Sequence, residues 1–189
     1  MEGSIVLLVI LGLVVLVSLL VLWAIYNSLV AGRLKVKESF SGIYVQLKRR
    51  ADLIPNLVTA VKGYTQHERE TLENLTRLRA EFLKVNPSDR SAVMEQGNML
   101  TQAMKSVFAV SENYPNLKAS ENFAKLQGSL EETEDQVAAA RRIYNANVND
   151  YNTRVQQFPS NVVAGWFKFS EELFFQTDQT LDEAPKVSF

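Results

Sequence analysis

Residues 5–25 read IVLLVILGLVVLVSLLVLWAI, 21 consecutive uncharged residues of which 17 are Ile, Leu or Val. At roughly 0.3 to 0.6 kcal/mol favourable per such side chain, the run supplies on the order of 5 to 10 kcal/mol for membrane insertion, and no charge opposes it. Wound as a helix at 1.5 Å per residue it is about 31 Å long, enough for a hydrocarbon core of about 30 Å. A cleaved signal peptide would need a basic start, an apolar stretch of about 7 to 15 residues and small residues at a cut site. Met1, Glu2, Gly3 and Ser4 precede the run without a Lys or Arg, and Leu29-Val30-Ala31 is a poor cleavage signal. The expectation is an uncleaved transmembrane helix over residues 5–25 behind a short tail of residues 1–4.

Arg33, Lys35 and Lys37 follow the run closely, and no basic residue precedes it. Positive charge is retained on the cytoplasmic side, so the bulk of the chain is expected there, with the N-terminus outside. Over 189 residues, 47% hydrophobic content is enough for one core of ordinary size. Glu2 is the one charge before the run, which leaves 20 basic against 20 acidic residues after it. A near-neutral soluble part argues against a nucleic-acid binder, which carries a basic excess. The chain has no Cys, which excludes disulfides and thiolate metal sites.

Beyond the run, Leu29, Val36, Phe40, Ile43 and Leu47 recur at helical spacing, so the membrane helix is expected to continue into the soluble part. Asp52 reads as the N-cap of a second helix, with Pro55 in its first turn, where a missing N–H costs nothing. Ile54, Leu57, Val61, Tyr64, Leu75, Leu78 and Phe82 then form a stripe interrupted by Glu68 and Thr71. Either the helix faces water there, or Leu72 takes over the stripe, or a buried polar contact sets the packing register. Asn86-Pro87-Ser88-Asp89 is a turn with Ser88 or Asp89 as cap, leading to a third helix with Val93, Leu100, Met104, Val107 and Phe108 on one face. Gly97 sits in that stripe and permits a close helix contact. Tyr114-Pro115-Asn116 ends the helix, and Ser120 opens another that reaches to about Gln157, with Thr133 filling the one gap in its apolar stripe.

The fold class is therefore all-α: an N-terminal transmembrane helix continuing into an antiparallel, up-and-down bundle of three to four long helices over residues 26–158. Parity returns the last helix towards the membrane. Residues 159–189 are expected to form an irregular, aromatic C-terminal tail beside it, carrying Trp166, Phe167, Phe169, Phe174 and Phe175. Two readings of these aromatics stand, anchoring in the membrane interface or packing on protein.

Several stretches together form a pattern: Tyr26-Asn27-Ser28-Leu29-Val30, the block from Val45-Gln46-Leu47 through Asp52-Leu53-Ile54-Pro55-Asn56-Leu57-Val58, Val61-Lys62-Gly63-Tyr64 and His67-Glu68. Tyr114-Pro115-Asn116-Leu117-Lys118-Ala119, Arg141-Arg142-Ile143-Tyr144-Asn145, Phe158-Pro159-Ser160-Asn161 and the terminal Ala184-Pro185-Lys186-Val187-Ser188-Phe189 extend it over essentially the whole chain. This pattern resembles the LemA family. The resemblance implies a bacterial inner-membrane anchor with a short outward tail and a cytoplasmic helical bundle. It supplies no activity.

The residues themselves offer little chemistry. His67 is the single histidine, and Tyr64 stands where a Glu-x-x-His pair would need Glu, so a di-iron bundle site is excluded. Phosphate-cradling glycines and a nucleophile elbow are also missing. The chain is read as no enzyme, with no cofactor and no metal. Arg33, Lys35 and Lys37, about 12 to 18 Å beyond the run along a helix, either bind anionic lipid or merely fix topology. Lys48, Arg49 and Arg50 lie about 35 Å along the helix, beyond that reach. They either face a protein partner, with Trp166 as a further candidate, or offset the partial negative charge of a helix end. The functional expectation is a non-enzymatic membrane-anchored scaffold or adaptor, assembling with itself or with other membrane proteins. The alternative is a peripheral lipid or membrane-state sensor using the juxtamembrane cations and the aromatic tail.

Overall fold

The structure is a computed structural model and describes residues 2–65 and 67–175. Its helices, in chain order, are α1 (Glu2–Lys62), α2 (Arg69–Lys84), α3 (Arg90–Ser111), α4 (Pro115–Lys118), α5 (Glu121–Gln156) and α6 (Ser160–Trp166). The described residues contain no strand. The fold is all-α.

Helix α1 begins in the apolar run, where every residue from Ile5 to Val21 is exposed. Among the described residues it is the one helix long and apolar enough to cross a membrane, with a mean hydropathy of 3.5 in its most apolar window. The helix does not stop near Asp52 but continues as a single element of 61 residues to Lys62. Pro55 therefore lies inside a helix, not in the first turn of a new one. A proline there cannot donate to the carbonyl four residues earlier, which belongs to Ala51. The Arg79 guanidinium on α2 supplies the missing donor, with Nε 2.9 Å from the Ala51 oxygen. The freed backbone acceptor, on a residue with 0% exposure, is thus satisfied from a neighbouring helix, which removes much of the cost of the proline.

The chain divides into two units. The first takes its described residues from Met1–Glu38 and Asn145–Phe174, and the second from Ser39–Tyr144 and Phe175–Phe189. The second unit is an up-and-down arrangement of four helices. Phe40 of α1 meets Tyr144 of α5 while Arg50 meets Glu134, so these two run antiparallel. Phe40, Leu47 and Arg50 meet Arg90, Gly97 and Thr101 of α3 in turn, so α1 and α3 run parallel. Tyr44 and Ala51 meet Phe82 and Arg79, so α2 runs back along α1. The core is the set of stripes read from the sequence: Ile43, Leu47, Ile54, Leu57 and Val61 of α1, Leu75 and Phe82 of α2, Val93, Leu100 and Val107 of α3, and Phe123, Leu130 and Val137 of α5.

The polar interruption at Glu68 and Thr71 resolves as a chain reversal. Lys62 ends α1, Arg69 starts α2, and Leu72 takes the next buried position at 3% exposure. Asp89, not Ser88, caps α3 by accepting from the Ala92 amide at 3.1 Å. Gly97 makes the expected close approach, because a Cβ there would stand 2.9 Å from Leu47 Cδ1. Thr133 is fully buried in the α5 stripe, its hydroxyl donating to the Leu130 carbonyl at 2.8 Å.

In the first unit α1 and α5 again run antiparallel, Ser28 facing Arg154 and Gly32 facing Tyr151. Within the tail expected to be irregular, Ser160–Trp166 forms helix α6, followed by a turn and then residues without regular secondary structure to Phe175. The remainder of that tail, 176–189, lies outside the described residues.

Candidate functional site

Around residue 50 the second unit gathers its buried charge. Arg50 occupies a stripe position of α1, continuing the series 43, 47, 50, 54, 57, 61, and is 1% exposed. Its guanidinium donates to the Glu134 carboxylate of α5 and, at 2.7 Å, to the Thr101 hydroxyl of α3. Thr101 passes the chain on to the Gly97 carbonyl at 2.8 Å. With Arg79 of α2 on the Ala51 carbonyl, the level of residues 50 and 51 ties α1 to α2, α3 and α5 by hydrogen bonds. Burial, with the nearby Arg141 charge adding to it, lowers the Arg50 pKa to about 10, so the group stays charged at neutral pH. Arg141 is likewise lowered by burial. It donates to the Asn98 side-chain oxygen at 3.2 Å and lies over the Phe175 ring at 4.3 Å. The Nε atoms of Arg50 and Arg141 are buried without hydrogen-bond partners.

Beside Arg50 opens a pocket of about 170 Å³, walled mainly by Met104, Phe108 and Leu130, with Glu134 and Lys105 at its polar edge. Among the described residues no three His, Cys, Asp or Glu side chains gather as a metal site would require. What the cluster does is mechanical: one cation bridges three helices.

The three adjacent cations singled out in the sequence separate. Lys48 and Arg49 are exposed, at 53% and 56% of their side chains, and pair with Asp52 at 4.0 Å and Glu132 at 3.6 Å. Such exposed pairs contribute little to stability. Arg50 does not face outward, because it stands on the buried stripe. The helix-end reading also fails for all three, since α1 runs on to Lys62 and leaves no open carbonyls at residue 50. The stripe itself was the missed signal: ending the helix at Asp52 hid the continuous spacing through position 50.

In the first unit a small core of Leu29, Val163 and Ala164 is flanked by Leu22, Ile25, Val155 and Phe169. Tyr26 meets the rings of Phe167 and Phe169 edge-on, at 4.8 and 5.7 Å. The segment after α6 is held by Asn152, whose side chain donates to the Glu172 carbonyl at 2.9 Å and accepts from the Glu172 amide at 2.8 Å. The sequence shows this clamp only as one Asn among several. Arg33 reaches the Glu172 carboxylate at 3.8 Å, and Arg33, Lys35 and Lys37 are all exposed on α1. Trp166 is 69% exposed. Desolvation raises the pKa of the Tyr151 phenol above its usual value.

The model of the LemA family matches residues 39–189. The chain belongs to the LemA family. A relative from Metamycoplasma hominis named Protein LemA is 24% identical over 153 residues, covering 81% of this chain and 69% of that one. Magnetosome protein MamQ 2 of Paramagnetospirillum magneticum is 25% identical over 175 residues, covering 80% of this chain and 64% of its own length. Magnetosome protein MamQ of Magnetospirillum gryphiswaldense is 22% identical over 163 residues, 74% of this chain and 60% of that protein. The LemA-family chain thus spans less than two thirds of the magnetosome relatives it matches. Family and fold together describe a helical, membrane-associated protein with bacterial relatives.

Proposed function

We propose that this LemA-family chain is a non-enzymatic, membrane-anchored helical scaffold that assembles with itself or with other membrane proteins. Its bundle lies on the cytoplasmic side of a bacterial inner membrane, where Arg33, Lys35 and Lys37 hold it. The observation that carries the reading is the use made of Arg50. A cation buried at 1% exposure and tied to two other helices costs stability yet admits few alternative packings. A platform that must present one surface to a partner is served by such a device. On the outward face of α1 the same helix presents Val45, 58% exposed, with Lys48 and Arg49 beside it. These are the groups assigned to partner contact.

A photo-crosslinking residue in place of Val45, in the full-length chain in its native membrane, tests this. The expected result is an adduct of defined mass with a second copy or another membrane protein, whose yield falls when Lys48→Glu and Arg49→Glu are introduced together. Absence of any adduct, or an adduct indifferent to the charge reversal, contradicts the assignment.

A further inference from the structure

Helix α6 has two unlike faces. Inward, Val163 and Ala164 are 1% and 2% exposed and pack on Leu29, with Leu22 and Ile25 of the apolar run beside them. Outward, Val162 and Trp166 stand one turn apart at 43% and 69% exposure, and Phe158 in the preceding turn is 80% exposed. A soluble surface has no reason to line up large apolar groups in this way.

The level at which they stand decides what covers them. The apolar run ends at Ile25, so Leu22 lies about 4.5 Å inside the hydrocarbon boundary and Leu29 about 6 Å outside it along the helix. Packing against residues 22 to 29 therefore puts α6 across the boundary itself, where interfacial elements bury their apolar face by about 5 to 10 Å. The two tryptophans of the chain agree. Trp23 sits in the last turn of the run at 68% exposure, and Trp166 is exposed on the helix packed beside that turn. Tryptophan prefers this depth because its ring is apolar and its N–H seeks water or headgroups. Beyond the end of the run Arg154 donates to the Ser28 hydroxyl at 2.9 Å, and exposed Lys168 follows Phe167 directly.

We propose that α6 and the turn before it form a second membrane contact, in which Phe158, Val162 and Trp166 insert into the lipid interface beside the transmembrane helix. The occupant is the bilayer, since the inner face of α6 packs on Leu22, Ile25 and Leu29, at the end of the span that the bilayer surrounds. The contact fixes the end of α5 to the membrane surface, and it holds whether or not the chain assembles with a partner.

Two single-tryptophan forms of the full-length chain, Trp23→Phe and Trp166→Phe, test it in vesicles whose phospholipids carry bromine near the headgroup end of the acyl chains. Trp23, read in the Trp166→Phe form, reports that the span has inserted. The expected result is that Trp166 emission, read in the Trp23→Phe form, is quenched by the brominated lipid to an extent comparable with Trp23 and is shielded from aqueous iodide. Quenching by iodide but not by brominated lipid would place the patch in water. Quenching by neither would place it against protein. Either result overturns the proposal.

Discussion

At Arg50 the electrostatic account can be tested on one side chain. The drop of its pKa to about 10 corresponds to about 3 kcal/mol against the buried charged form. Arg50→Met removes that handicap, and Glu134, 47% exposed on its side chain, can turn to water. The variant is expected to unfold at equal or higher free energy, by up to about 3 kcal/mol, as buried ion pairs replaced by apolar groups do. Glu134→Ala is expected to do the reverse, because it leaves the buried guanidinium without its carboxylate. A loss of about 2 kcal/mol is anticipated, below the about 3 to 5 kcal/mol of a fully buried pair, since Glu134 is half exposed. The pH dependence has a definite sign. Below pH 10 both folded and unfolded Arg50 carry the proton, whereas above about 10 the folded state gives it up first. The unfolded state then binds more protons and the contribution of Arg50 to stability rises with pH. The advantage of Arg50→Met over the native chain is therefore constant below pH 10 and narrows above it. Denaturant unfolding in detergent, followed by circular dichroism, measures both quantities.

The helices were largely legible as apolar periodicities, and the places where they were not have one physical origin. Helix rules are local, and α1 is rescued from outside. The Pro55 rule correctly states that a proline leaves a carbonyl without its donor, but it cannot see Arg79 arriving from another helix. With that bond in place α1 runs on to Lys62, and Arg50 is a stripe residue rather than a cation at a helix end. A double-mutant cycle tests this. Arg79→Leu leaves the buried Ala51 carbonyl unpaired and is expected to cost about 1 to 3 kcal/mol. In a Pro55→Ala background the restored amide at residue 55 supplies the bond within the helix, so the same Arg79→Leu change should cost markedly less, an interaction of about 1 kcal/mol or more. Additive effects would refute the pairing. Helix α6 escaped the sequence for a different reason: seven residues are too few to show a period, and its inner face is defined by Leu22, Ile25 and Leu29, far away in the chain.

For the molecule as a whole, composition and the apolar run gave a helix long and apolar enough to cross a membrane and the all-α class, and the family adds bacterial relatives. The candidate site was less legible. Of the residues proposed for partner contact, Lys48, Arg49 and Trp166 are exposed, and Arg50 instead stands on the buried stripe, bonded to Glu134 and Thr101. Charge alone does not reveal which way a side chain points; its position on the helical stripe does. On the function proposed above, this rigidly specified bundle serves assembly at the membrane. The most direct test is the mass of the full-length chain extracted with its native lipids, with every co-purifying chain identified. A defined oligomer or a partner in fixed stoichiometry is the predicted result, and a lone monomer without a partner would contradict it.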